Sequence, residues 1–228
     1  MKKILTLALS LMMLLAAACA AEAPASTQVF VSLTDDTGAL VLALEPVDVT
    51  DVDGDGVLTI SDALQLAHVA RHPDGEAAYA TEETEFGLSL MRLWGVENGG
   101  SYGYYLNNAS AWSLLDPVQP GDHVKAYAFT DLTAWSDTYC YFDADVVEAE
   151  LGAELPLTLY AAGFDAEWNP VAMPVEGAVI TVDGQPTEWV TDAEGKVVFT
   201  CAEAGEYLIS ASSETLNLVT PVCVVIVK

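Results

Sequence analysis

The sequence predicts two β-rich units in tandem, a small mixed α+β sheet domain followed by an all-β sandwich. Three observations carry that reading. Only one run, Ala63-Leu-Gln-Leu-Ala-His-Val-Ala70, combines helix-forming residues with a capping signal before it (Ser61 or Asp62) and a Pro73-Asp-Gly75 stop after it. The segments around it alternate apolar and polar residues as strands do. Beyond residue 155, six short β-branched runs separated by turn signals fit into fewer than eighty residues, which suits a sandwich.

In chain order, Lys2 and Lys3 precede an uncharged apolar run to about Ala18, the pattern of a secretory signal over residues 1–18. Ala16-Ala-Ala-Cys19 resembles a lipoprotein cleavage site, which would make Cys19 the acylated first residue and the N-terminal lipid the only membrane attachment. Residues 19–27 read as a tether. The formal net charge of −27 argues against a nucleic-acid partner and against anionic head groups. It suits an exported protein bathed in divalent cations. The 52% apolar content excludes an acidic disordered tail.

The first unit is expected over residues 28–145. Gln28–Leu33 and Ala39–Thr50 read as a hairpin around Asp35-Asp-Thr-Gly38. Then comes Asp51-Val-Asp-Gly-Asp-Gly-Val-Leu-Thr-Ile-Ser-Asp62. Carboxylates stand at positions 1, 3, 5 and 12 of a twelve-residue loop, and Gly56 falls at the sharp turn. Four such charges repel unless a cation sits among them, and oxygen donors at flexible spacing suit Ca²⁺ better than Zn²⁺. The expected ligands are Asp51, Asp53, Asp55, the Val57 carbonyl, Thr59 and Asp62. Val41–Thr50 before the loop carries Pro46 and β-branched residues and reads as strand, not helix.

Loop and helix together resemble one calcium repeat of a dockerin, which also places Asp at position 12. No second repeat follows, so cohesin binding is not implied. Glu76–Thr84 reads as irregular, followed by strands at Phe86–Gly95, Gly103–Leu106, Val124–Phe129 and Thr138–Asp143. Trp94-Gly-Val-Glu-Asn-Gly-Gly-Ser-Tyr-Gly-Tyr-Tyr-Leu-Asn-Asn108, with Val118-Gln-Pro-Gly-Asp-His-Val124, resembles bacterial surface domains similar to the C-terminal β-domain of transcobalamin and intrinsic factor. The resemblance implies a small α+β sheet with the calcium loop at its strand-to-helix junction.

Twelve of the chain's twenty Phe, Trp and Tyr residues lie between Phe86 and Phe142. Sheets need aromatics for their own packing, yet a concentration this high also suits a ligand face. The candidates are Trp94, Tyr104, Tyr105, Asn107, Trp112 and Trp135, with Trp112 and Trp135 expected to be the most exposed.

Residues 146–154 read as an acidic linker, and 155–228 as the sandwich, with hairpin signals at Asp183-Gly184 and Asp192-Ala-Glu-Gly195. Gly177-Ala-Val-Ile-Thr-Val-Asp-Gly184, followed by Thr191-Asp-Ala-Glu-Gly195, resembles the Ig-like modules of bacterial surface proteins. Cys140, Cys201 and Cys223 read as buried thiols.

The sequence carries no catalytic signature. His68 and His72 share a helix face, but the Glu of H-E-x-x-H is missing, and His123 has no partner in sequence. No phosphate loop, dinucleotide fingerprint or G-x-S-x-G occurs. The expectation is a non-enzymatic, calcium-stabilised surface module that binds a protein, glycan or small ligand. Two narrower readings stay open: a corrinoid-capture lipoprotein, implied by the transcobalamin resemblance, and a carbohydrate-binding accessory protein, from the dockerin-like loop and the tryptophans.

Overall fold

The structure, a computed structural model, describes residues 26–228. The readings for the signal, for most of the tether and for Cys19 lie outside the described residues. What is described is largely β, with one α-helix. In chain order come β1 (Thr27–Thr34), β2 (Leu40–Val49), α1 (Ile60–Arg71), a 3-10 turn (Gly75–Ala78), β3 (Ala80–Thr84), β4 (Gly87–Arg92), β5 (Tyr102–Leu106), β6 (Ala109–Ser110) and β7 (His123–Ala128). Then follow β8 (Asp137–Phe142), β9 (Val146–Ala149), β10 (Leu155–Phe164), β11 (Pro170–Pro174), β12 (Val179–Val182), β13 (Gln185–Val190), β14 (Lys196–Phe199), β15 (Gly205–Ser212), β16 (Asn217–Val219) and β17 (Cys223–Val227).

The first sheet runs β2-β1-β7-β5-β6 and is mixed, because β1 pairs antiparallel with β2 but parallel with β7. Ile60, Ala63, Leu64 and Ala67 recur at helical spacing, and all four are fully buried with Val29, Val31, Leu33, Val49 and Val124 of the sheet. Each large side chain so buried contributes about 1.5–3 kcal/mol relative to an exposed one. The helix starts two to three residues earlier than its sequence signal. Thr59, not Ser61 or Asp62, is the N-cap, and Asp62 completes a reciprocal capping box from the third helical position.

The remaining strands form two facing sheets. One has the order β11-β10-β8-β16, with β14 also on β10; the other is β13-β12-β15-β17-β9. Phe142, Leu157 and Leu159 from the first meet Ile180, Ile209, Cys223 and Val225 from the second in a shared core. All three described cysteines are buried free thiols.

Strand pairing shifts the expected boundary. Thr138–Asp143, read as part of the first unit, supplies β8, which pairs with β10 and β16 of the sandwich. The linker reading of 146–154 also changes, because Val146–Ala149 pairs parallel with β17. Its partner lies nearly eighty residues away, so a four-residue edge strand among acids looks like linker until tertiary pairing is known. Likewise β3 forms a hairpin with β4 where irregular chain was expected, its polar residues lying on an exposed two-stranded ribbon.

The two halves meet along an aromatic seam. Tyr105 stacks on Tyr139 with ring centroids 3.5 Å apart and 6° between planes, and Tyr127 and Val219 complete the cluster. No helix among the described residues is long and apolar enough to cross a membrane.

Candidate metal centre

The loop between β2 and α1 is organised by its own carboxylates. Asp51 Oδ1 accepts the Gly54 N–H at 2.7 Å and Oδ2 the Gly56 N–H at 2.8 Å; Asp53 and Asp55 each accept the N–H two residues on. Gly54 and Gly56, at φ 79° and 89°, take the left-handed turns these bonds require. The result draws the carboxylate oxygens of Asp51, Asp53 and Asp55 to within 4.8 Å of one another. The Gly56 N–H bond leads in holding Asp51 below the usual carboxylate range. Asp53 moves the other way: the Asp55 N–H bond lowers it, but partial desolvation and the charges of Asp55 and Asp62 together raise it. Hard oxygen donors this close suit a hard cation.

The remaining expected ligands are placed differently. Asp62 Oδ1 accepts the Val52 N–H at 3.0 Å, and Oδ2 accepts both the N–H and the hydroxyl of Thr59 at 2.8 Å. The Thr59 oxygen in turn accepts the Asp62 N–H at 3.2 Å. Thr59 and Asp62 are both buried, at 1% and 3% exposure, and Asp62 is not among the three converging carboxylates. Val57 is exposed beside them. Residues 114–118 brace the loop's exit: the Ile60 and Ser61 N–H groups donate to the Asp116 and Leu114 carbonyls, and the Val118 N–H donates to Leu58. The first donors of α1 are thereby satisfied within the protein.

The six ligand-face candidates do not converge. Trp94, with Gly95, makes a left-handed two-residue turn at φ 51° and 79° that bridges Leu93 and Val96. Its ring lies against His68 and edge-on to His72, with centroids 5.2 and 4.8 Å away. Tyr104 packs against the first core, whereas its neighbour Tyr105 faces the seam, as strand alternation demands. Asn107 holds two strands together, donating to Asp122 Oδ1 at 2.8 Å and accepting the His123 N–H at 2.9 Å. Of the five aromatics only Trp112 (96%) and Trp135 (56%) are exposed. Trp135 sits at φ 54° on a loop gathered by Asp131, which the Ser136 hydroxyl and the Ala134 and Thr133 N–H groups hold down at about 2.

The histidines are structural. His68 Nδ1–H donates to the Leu64 carbonyl at 2.6 Å, and Nε2 accepts the Trp94 N–H at 2.8 Å, leaving no lone pair for a metal.

Sequence reading missed a polar network at the seam. The Leu44 N–H donates to Ser32 Oγ at 2.9 Å, and Ser32 Oγ lies 2.8 Å from His123 Nε2. His123 Nδ1 faces Asp145 Oδ2 at 3.1 Å, a charge contact that misses good hydrogen-bond alignment. Lys125 Nζ donates to Asp145 Oδ1 at 3.0 Å and to Asn108 Oδ1 at 2.7 Å, and the Tyr139 hydroxyl donates to that same Asn108 oxygen. Burial pushes Asp145 up, but His123 and Lys125 more than offset this and hold it at about 2. Ser32, His123 and Asp145 follow the order of a nucleophile, base and orienting acid. Yet Ser32 and His123 are only 4% and 3% exposed, and the adjoining cavity of about 20 Å³ has room for about one water molecule and none for a substrate. The network is a clamp between the halves. Lys125, flanked by Val124 and Ala126 in β7, was its one sequence signal, since a lysine is rarely buried without a partner.

No family model matches the chain, and no curated protein matches it. Among solved structures it is similar, at 13% identity, to the N-terminal four Ig domains of Dscam1 isoform 4.4, covering 65% of this chain and 31% of that one with a TM-score of 0.25. It is also similar, at 13% identity, to the tandem Ig repeats of Dlar, covering 67% of this chain and 75% of that one with a TM-score of 0.28. The chain spans less than two thirds of the length of the Dscam1 structures. At these TM-scores the likenesses support no conclusion about a shared arrangement or function.

Proposed function

We propose that the protein is a non-enzymatic, exported binding module whose first half is stabilised by calcium. The observation that carries this is the approach of Asp51, Asp53 and Asp55 to within 4.8 Å on a loop that leads into the only described α-helix. In this reading the ion takes oxygens from those three side chains and the Val57 carbonyl, with water completing the shell. Asp62 and Thr59 contribute by fixing where the loop ends. Calcium supplies neutralisation of three like charges, and binding only the native state it raises stability by mass action. The buried Ser32–His123–Asp145 line, with room for no substrate, supports the non-enzymatic part. Exposed Trp112 keeps a glycan among the candidate partners. Nothing gathers Trp94, Tyr104, Tyr105 and Asn107 into a corrinoid pocket.

Thermal unfolding with calcium and with a chelator tests the ion. Chelation should lower Tm by several degrees, and Asp53→Ala with Asp55→Ala should remove the difference. An unchanged Tm on chelation, or normal calcium uptake by the double variant, rejects the calcium reading.

A further inference from the structure

Three strand-connecting loops in this chain share one construction, and one departs from it in a single residue. In Asp35–Ala39, Asp165–Asn169 and Asp192–Lys196 the first N–H donates to the fifth carbonyl, at 3.0, 3.0 and 2.9 Å, and the fourth N–H to the first carbonyl, at 3.1, 3.1 and 2.9 Å. In each, the leading Asp Oδ1 accepts the third and fifth N–H groups. The fourth residue is left-handed in all three: Gly38 at φ 79°, Trp168 at 63° and Gly195 at 73°. Glycine is the residue this turn favours, because an L side chain resists that backbone. Gly195 has a second reason, since a Cβ there would meet the Leu159 carbonyl at 2.5 Å. Gly38 has none, its nearest neighbour lying 3.9 Å from such a Cβ. Conformation alone therefore favours glycine there, and the same conformation carries tryptophan in the β10–β11 hairpin.

Folding does not account for that tryptophan. Trp168 is 80% exposed, and its one aromatic neighbour, Phe164, is 58% exposed, with ring centroids 6.0 Å apart and planes tilted by 46°. The strained residue presents an indole to solvent, and strain of this kind is retained where the side chain has a use.

The surroundings say what the ring would meet. Asp165 and Glu167 flank it, both exposed. From Lys125 to Lys196 the chain has no other Lys or Arg and 14 acidic residues. An anionic lipid or nucleic-acid surface is repelled, and a cation is attracted. Strand addition is also blunted. The Val175 N–H donates to Leu159, so the odd-numbered residues of β11 face β10 and Pro170, Ala172 and Pro174 face outward, leaving Ala172 the only free N–H on that edge. Contact must come through side chains.

We propose that the β10–β11 hairpin tip docks a cationic, Lys/Arg-bearing segment of a partner protein. Trp168 and Phe164 offer ring faces to the cation, and Asp165 and Glu167 offer opposite charge. This deepens the binding-module reading by naming a partner class, and it does not depend on calcium.

Trp168→Gly in the full chain is the informative variant, since it installs the residue the same turn carries elsewhere. Its Tm in calcium should equal or exceed that of the parent. A Tm lower by several degrees would make Trp168 a folding residue and overturn the proposal. Fluorescence anisotropy of a labelled decapeptide of alternating Arg and Gly should show saturable binding that Trp168→Gly and Phe164→Ala each weaken tenfold or more, and that 500 mM salt reduces. Equal binding by parent and variant would mean diffuse attraction to an acidic surface, and would sink the site. No peptide binding, or Trp168-dependent binding of a neutral oligosaccharide or of uncharged phosphatidylcholine vesicles instead, would sink the cationic partner. None of these results bears on the chelation test.

Discussion

His68 shows how a single residue acquires its chemistry from its surroundings. The ring is fully buried against Tyr79 and Trp94, and burial lowers its pKa from 6.5 to about 4. The folded chain keeps it neutral while the unfolded chain protonates it. The stabilisation is present in full above pH 6.5 and is lost as the pH falls towards 4, amounting to about 3 kcal/mol over that window. His123, also lowered chiefly by burial, adds a slope of the same sign. Urea unfolding at pH 7 and pH 4.5 should show the loss. Ring NMR should find His68 neutral down to about pH 4.5, and a His68 titration near 6.5 would contradict the buried geometry. Because its Nε2 accepts the Trp94 N–H, His68 offers no lone pair to a metal despite its helical spacing from His72.

At the scale of the element, α1 and its preceding loop are one mechanical piece. Asp62 caps the helix and also accepts the Val52 N–H near the loop's entrance, so one carboxylate fixes both ends. Thr59→Ala removes half of the capping box from a buried position, and should cost about 1–2 kcal/mol by chemical denaturation. Because Thr59 serves the cap in this structure, the variant should keep its calcium affinity within a few fold by titration calorimetry. A loss of a hundredfold or more would return Thr59 to the ligand set.

For the whole molecule, the clamp at the seam joins the halves. Lys125 is 7% exposed and its compensating charge is Asp145, which follows β8 on the sandwich side of the redrawn boundary. Asp145→Ala strands a buried ammonium and should destabilise by roughly 3 kcal/mol. Lys125→Met removes the more deeply buried charge, and the carboxylate it leaves behind is 34% exposed and can be hydrated, so a smaller loss is expected. Denaturation curves of both variants test the asymmetry. Equal losses would mean that the ion pair itself is worth more than the burial of its charges.

Local pattern alone determined much of this protein. Period-two runs located most of the strands, helix formers at positions 63–70 located α1, and Asp183-Gly184 marked a hairpin that formed where expected. Asp192–Gly195 turns the chain but makes no hairpin, because β13 pairs with β12 while β14 crosses to β10 of the facing sheet. The spacing of Asp51, Asp53 and Asp55 likewise announced a carboxylate cluster, because close neighbours in a tight loop have few ways to stay apart. Partner choice was the part left to tertiary structure. Which strand pairs with 137–142 and 146–149, and which side of β5 meets the sandwich, depend on residues distant in sequence. Ser32 and His123 are 91 positions apart, and no local pattern joins them. Propensity and turn chemistry act over a few neighbours, whereas burial of a charge or stacking of a ring is decided by whichever surface the folded chain brings to it.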